Sequence, residues 1–447
     1  MKKTEIIQYL KSRDFLKYGG VFVFILIVQY WNTIHYIEDP DSLRFALGVQ
    51  NFRPGDGIPH FPLYPVFIYL LKIPYLILGK FSYAFSLVNA LALFGLFYYC
   101  LKWTKNYYLS IIVLLLPIHW IMAGRYMPDL LGVTIVLGLY YSLTKEKRLT
   151  CAVLSILLIG VRLSYFPFLI PIGIYLIQKK AWKEIFISIL SLVVLLSSLL
   201  LFADLKDLLE VALKQTDGHF NDFGGAYTSE SHGVLERLQF FWQRILNDGL
   251  SFGFSLSLPV GILLYVLFSK SRLKENKYFI IGLLLYAVWI LFFQNIVYKF
   301  RHVLPLISGV VIVFGFVSSR WSKWIFIPLI ILLMYWDVKV IKEHQKPSSI
   351  AQLSEFLVNK KLDETVLISS KLLNYSLRYQ TKGLHFWDLE SIEEFVQSDT
   401  IAYDHFILVG DNEFFKNKPL LLDTVFHHNP SINPMWSRLK VSVYGND

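Results

Sequence analysis

The apolar residues of this chain arrive in long runs, and that restricts its fold more than any other feature. Runs approaching the ~20 residues that cross a bilayer's hydrocarbon core lie at roughly 15–35, 63–78, 81–101, 107–123, 130–144, 149–161, 163–178, 183–203, 249–269, 278–297, 302–318 and 321–337. A helix that is apolar all round has no face to offer water, so it must lie in lipid or deep inside a large core. Composition decides between these: 55% of the residues are hydrophobic and only 17% charged, against about 25% charged in soluble domains. The chain therefore reads as a mainly α, polytopic membrane protein. After about residue 345 the hydropathy falls to ordinary globular values. That region reads as a small α/β unit, with helical "SIAQLSEFLVNKKL" and "SIEEFV" and strand-like "TVLISS", "HFILVG" and "LKVSVYG". The expected division is a membrane domain over 1–344 and a soluble domain over 345–447.

The net charge of +10 is not a nucleic-acid signature. Its basic residues sit in short clusters between apolar runs, where they contact lipid headgroups and set orientation. The clusters also decide the topology. If 63–78 crosses the membrane, Lys102 and Lys105, then Lys145, Lys147 and Arg148, then Lys179, Lys180 and Lys183, and Lys270 to Lys277 all face outward. If 63–78 is interfacial or re-entrant, all of them share the side of the basic N-terminus "MKKTEIIQYLK", as positive-inside orientation requires. The second arrangement gives about 11 spans, a cytoplasmic N-terminus and an extracytoplasmic C-terminal domain. No small-residue cleavage pattern follows Trp31, so the first run is expected to be a retained span. Two cysteines, Cys100 and Cys151, lie in or beside apolar segments and suggest no disulfide framework.

In this topology the outward regions are 36–80, the turn at Arg125–Asp129, the turn at Arg162, the polar interval 204–248 and Val297–Arg301. In "IEDPDSLRFALGVQNF", Asp39 suits an N-cap, Pro40 the first helical position and Asp41 the first turn. Asp41, Arg44, Gly48 and Asn51 fall on one face of the helix that follows, which reads as amphipathic and interfacial. Two acids on so short a turn exceed what capping requires, although a plain cap remains the simpler account. "GRYMPDLLG" repeats the device with Pro128 and Asp129. An anion there is stabilised by free backbone N–H groups by roughly 0.3–1 kcal/mol, so Asp129 should stay ionised and orient a base, a metal or a cation. The plain account is again a helix start, with Arg125 anchored to headgroups. Arg162 and "YKFRH" (Tyr298 to His302) bring cations to the same face, which a lipid-linked phosphate needs but which snorkelling also explains. His60, His119 and His302 show no metal-ligand spacing. Ionisable residues are sparse at mid-membrane, where a transporter would carry them.

The acidic pair after the first span, "DSLRFALGVQNF", "PHFPLYPVF" and "WIMAGRYMPDLLG" together resemble the GT-C glycosyltransferases, in the branch of protein-O-mannosyltransferases and aminoarabinose transferases. The likeness covers about residues 10–340 in architecture and is specific at 37–67 and 120–132. It implies an inverting transferase that takes a sugar from a polyprenyl-phosphate donor to the hydroxyl of a lipid, glycan or protein acceptor. In that reading Asp41 is the base and Asp129 the acid of the second motif. Ser42 stands where the family carries Glu, which leaves Asp39 or Glu38 to supply a second carboxylate and leaves open which of Asp39 and Asp41 is essential. Arg162, Lys299 or Arg301 would hold the departing phosphate, with Arg44, His60, Tyr64, Arg125 and His302 as further substrate contacts. The interval 204–248 would be a mobile loop closing over the site. No cofactor is assigned, and a divalent cation is admitted. Two other classes carry similar outer loops or spans, a surface-glycan ligase or polymerase and a non-catalytic transporter.

Overall fold

The computed structural model describes residues 13–222, 226–229, 232–249, 275–316, 323–360, 365–381, 383–393, 395, 403–410, 415 and 418–445. The expected span at 249–269 lies outside the described residues. The chain divides into two compact units, one of Met1–Ile34 with Phe45–Lys342, the other of His35–Arg44 with Glu343–Asp447.

The first unit is helical. Its elements are α1 (Arg13–Asn32), the body of α2 (Pro40–Gln50), α3 (Pro65–Leu78), α4 (Phe81–Thr104), the short pair α5 (Tyr107–Leu114) and α6 (Pro117–Gly124), α7 (Asp129–Thr144), α8 (Arg148–Arg162), α9 (Leu169–Gln178), α10 (Trp182–Ser197), α11 (Leu205–Asp217), α12 (Val234–Gln243), α13 (Lys277–Phe293), α14 (Leu304–Gly315) and most of α15 (Lys323–His344). Phe81–Thr104 and Trp182–Leu201 are each long and apolar enough to cross a membrane, and α5 with α6 pass together as a pair bent by 49°. Leu190, Val194, Leu200 and Leu201 are all exposed along the Trp182–Leu201 stretch, as expected of a helix that faces hydrocarbon.

Side-chain contacts fix which ends lie together. The continuous helical stretch Arg148–Gln178 has 31 residues, and a straight helix of that length would hold its ends about 46 Å apart. Instead Lys179 Nζ lies 3.3 Å from Glu146 Oε1, so α8 and α9 are two arms of a hairpin that reverses at the 3-10 turn Leu163–Phe168. Tyr278 then donates to Gln178 (2.6 Å), Trp103 donates to Asn276 (3.1 Å), and Lys102 lies over the Tyr18 ring. These contacts gather the described basic clusters with the start of α1 at one face. At the opposite face Thr33 donates to Ser86 (2.8 Å), and Tyr30 stacks on Tyr83. The chain therefore leaves α1 and enters α4 at the same level. The intervening α3 has 14 residues, about 21 Å of helix, too short for a ~30 Å core.

Helix α2 corrects one expectation. Leu43, Phe45, Val49 and Phe52 are buried, as expected of the apolar side, while Leu47 is partly exposed and Gly48 is buried. A Cβ at Gly48 would stand 2.8 Å from Pro59 Cδ and 3.2 Å from Ile68. Its missing side chain is what lets the 58–68 segment close over the helix, so this position of the expected polar face is covered by protein.

The second unit holds a five-stranded sheet in the order β2-β1-β3-β5-β4. The strands are β1 (Thr365–Ser369), β2 (His385–Asp388), β3 (His405–Val409), β4 (Leu420–His427) and β5 (Arg438–Gly445). Strands β2, β1 and β3 run parallel, while β5 is antiparallel to both β3 and β4. Helices α16 (Ser349–Lys360) and α17 (Lys371–Gln380) complete it. Every residue of β1 is buried, as a central parallel strand requires. Leu353, Leu357, Leu373 and Leu377 pack on Leu367 and Ile407 to form one core of the unit.

Candidate functional site

Asp129 opens α7 just after Pro128, and Arg162 closes α8. The two meet in the interior: Arg162 Nη2 lies 3.0 Å from Asp129 Oδ1, with side chains 5% and 0% exposed. Arg162 Nη1 also donates to the Tyr64 hydroxyl (3.2 Å), and that hydroxyl lies 3.3 Å from His60 Nε2. Tyr165 donates to the Asp129 carbonyl (3.3 Å). Gly132 makes this convergence possible, because a Cβ there would stand 2.8 Å from the Tyr165 ring and 3.2 Å from Arg162 Cβ. A carboxylate that is fully buried is tolerated only beside a cation with good geometry, and the guanidinium supplies that here.

The neighbouring cations belong to the same unit. Arg301, buried in the 3-10 turn Phe300–Val303, has Nη1 3.1 Å from the Met127 sulfur, two residues before Asp129. Arg125 lies 5.1 Å from the centre of the Phe300 ring. The His302 carbonyl accepts from Tyr286 (3.0 Å), while its buried Nδ1 has no hydrogen-bond partner among the described residues. Lys299 stands just before the 3-10 turn and is half-buried. The Arg125–Asp129 turn is held by amides that the sequence reading did not single out. Gln29 and Asn89 both donate to the Ala123 carbonyl (2.7 and 2.9 Å), and Asn89 also donates to the Arg125 carbonyl (3.0 Å). Asn32 donates to Trp120 O (2.7 Å). The Ala123 carbonyl is one that the end of α6 leaves without a helical partner. The visible signal was an amide inside an apolar run, which marks a packing or functional contact in a membrane helix.

The polar interval is anchored where it is described. Helix α13 ends at Phe293 and leaves its last carbonyls unpaired. Arg237 donates to Leu291 O (2.7 Å) and Gln294 O (3.0 Å), the Tyr227 N–H to Phe292 O (2.9 Å), and His219 Nε2 lies 2.7 Å from Phe293 O. Arg244 donates to the Ile296 and Val297 carbonyls. Burial pushes the His219 imidazole below its ordinary value, with Lys299 nearby adding to the effect. A neutral ring with a proton on Nε2 satisfies the Phe293 carbonyl. This collar has a physical reason: six backbone acceptors between 291 and 297 meet donors that the described part of the interval carries.

The remaining candidates, Asp39, Asp41 and Arg44, belong to the second unit. Asp39 Oδ1 accepts from the Ser42 N–H (2.7 Å), so Asp39 is the N-cap of α2 and Asp41 lies in the first turn. Glu38 is fully buried beside His344, with 3.4 Å between Oε2 and Nε2. Tyr36 donates to the His344 carbonyl (2.5 Å), and Arg44 lies 4.9 Å from the centre of the Tyr375 ring. Among the described residues no three His, Cys, Asp or Glu side chains are grouped to hold a metal ion. His119 has both ring nitrogens within reach of protein oxygens, Val113 O and Ser308 Oγ, and serves packing.

The described residues form a polytopic helical domain and a small C-terminal sheet unit, and this fold is shared with solved structures. The solved structures similar to it include ArnT from Cupriavidus metallidurans bound to undecaprenyl phosphate, at TM-score 0.54 and 11% identity over 96% of this chain and 98% of that one. The same protein in the apo state aligns at TM-score 0.55 and 12% identity over 95% and 98%. The mycobacterial arabinofuranosyltransferase AftD aligns at TM-score 0.50 and 12% identity, over 98% of this chain and 40% of its own. No protein-family model matches the chain, and no curated protein matches it in sequence.

Proposed function

We propose that this chain is an integral membrane glycosyltransferase that moves a sugar from a polyprenyl-phosphate donor to an acceptor hydroxyl at the outer face of a bacterial plasma membrane. The supporting observation is the buried, same-face group of Asp129, Arg162, Tyr64, Arg301 and Arg125 in a fold shared with ArnT, a protein crystallised with undecaprenyl phosphate. A departing lipid phosphate needs charge-assisted donors in a water-poor site, and Arg125, Arg162, Lys299 and Arg301 are cations of that face. Asp41 takes the proton of the acceptor hydroxyl as its oxygen attacks the anomeric carbon, and the carbon–phosphate oxygen bond breaks on the opposite side. Asp39 is assigned to the cap and Asp41 to the base, because the Asp39 carboxylate accepts the Ser42 N–H. In this reading the N-terminus is cytoplasmic and the C-terminal unit extracytoplasmic.

A positioned base contributes typically about 10²–10⁴-fold. Asp41→Asn should therefore remove at least about 100-fold of the transfer from a polyprenyl-phosphate sugar in reconstituted membranes, with expression and insertion unchanged. Full activity in that variant rejects Asp41 as the base.

A further inference from the structure

We propose that the C-terminal sheet unit holds the first turn of α2 in place, with His344 and Tyr375 as positioning residues for Asp41. The inference rests on the transferase reading above and adds a role for a domain to which that reading gives none. Asp41 is bracketed by two residues that reach C-terminal groups. Three positions before it, the fully buried Glu38 meets the fully buried His344, and Tyr36 donates to the backbone of that same histidine. Three positions after it, Arg44 lies over the Tyr375 ring. The ring is itself fixed to the sheet. Its neighbour Asn374 donates to Ser369 O (3.1 Å), Trp387 O (2.6 Å) and Asp388 Oδ1 (2.9 Å), tying α17 to the ends of β1 and β2. A capping residue fixes a helix start locally, but it does not fix where the helix points. The two brackets do, and they come from residues about 300 and 330 positions away in the sequence, where nothing but tertiary structure can hold them.

A base displaced by about 1 Å can lose about 100-fold in rate without any change in its chemistry. The test uses the full chain in lipid nanodiscs. Tyr375→Ala should lower kcat by about 10–100-fold, leave KM for donor and acceptor within about twofold, and speed amide exchange at residues 39–46 in the absence of substrate. Tyr375→Phe keeps the ring under the guanidinium and should restore both readouts. His344→Gln should move them in the same direction as Tyr375→Ala. Because His344 is fully buried and its loss could unfold the unit, the Tyr375 pair carries the decision. Unchanged kcat and exchange in Tyr375→Ala, or a Phe variant as slow as the Ala variant, overturns the proposal. Asp41→Asn keeps the two readings apart. If it stays active, the base assignment falls. If it is dead while Tyr375→Ala runs at the parent rate, only the clamp falls.

Discussion

Arg162 meets the Asp129 carboxylate and both the hydroxyl and the ring of Tyr64, and its burial sets the cost of disturbing it. Both members of its pair with Asp129 are shielded from water, so removing one leaves the other as an uncompensated buried charge, which costs about 3–5 kcal/mol. Arg162→Ala should lower the thermal midpoint of the purified protein strongly. Pairing Arg162→Gln with Asp129→Asn should cost less than the sum of the two single changes, because residues in direct contact are not additive. Fluorescence-detected size exclusion after heating measures both. By contrast Lys179–Glu146 is 45% and 64% exposed. Such a pair is worth little, and its value is as a marker of where the α8–α9 hairpin closes. At this scale the sequence was informative about Asp129, Arg162, Arg301 and the capping pair at 39–41, because a charged residue beside an apolar run is conspicuous. It was silent on their partners. Tyr64 and Arg162 are 98 positions apart, and no periodicity links them.

Among elements, the collar around the end of α13 has the clearest energetic meaning. Arg237 is fully buried with two backbone acceptors, and stripping the donor from a buried carbonyl costs about 1–3 kcal/mol. Arg237→Ala should destabilise the 291–303 segment, seen as faster amide exchange there, while Arg237→Lys recovers only part because an ammonium lacks the forked geometry. Strands β1, β3 and β5 were legible as alternating or continuous apolar runs between polar stretches. The short β2 and the half-exposed β4 were not, since "HFWD" and "LLLDTVFH" carry no clean period. Helix α16 was legible and α17 was not. In "KLLNYSLRYQ" the polar and apolar residues alternate too irregularly to declare a helix before the sheet supplies its partner face.

For the whole molecule, charge bookkeeping led to the expectation that α3 does not carry the chain across. The contacts Lys102–Tyr18, Trp103–Asn276 and Tyr278–Gln178 agree with it by gathering the described basic loops at one face. The orientation itself is testable. A thiol reagent applied from outside should label Gly233→Cys well and Lys105→Cys poorly, with buried Cys100 and Cys151 giving little background. The reverse pattern inverts the topology. The membership of His35–Arg44 in the C-terminal unit was not legible, because it rests on contacts across some 300 residues. The collar also has a temporal side. Residues 219–244 are synthesised before 291–297, so two arginines and a histidine exist ahead of the carbonyls that will receive them. The end of α13 is thus the moment at which an already made segment acquires its fixed shape, and the later part of the chain completes the earlier one.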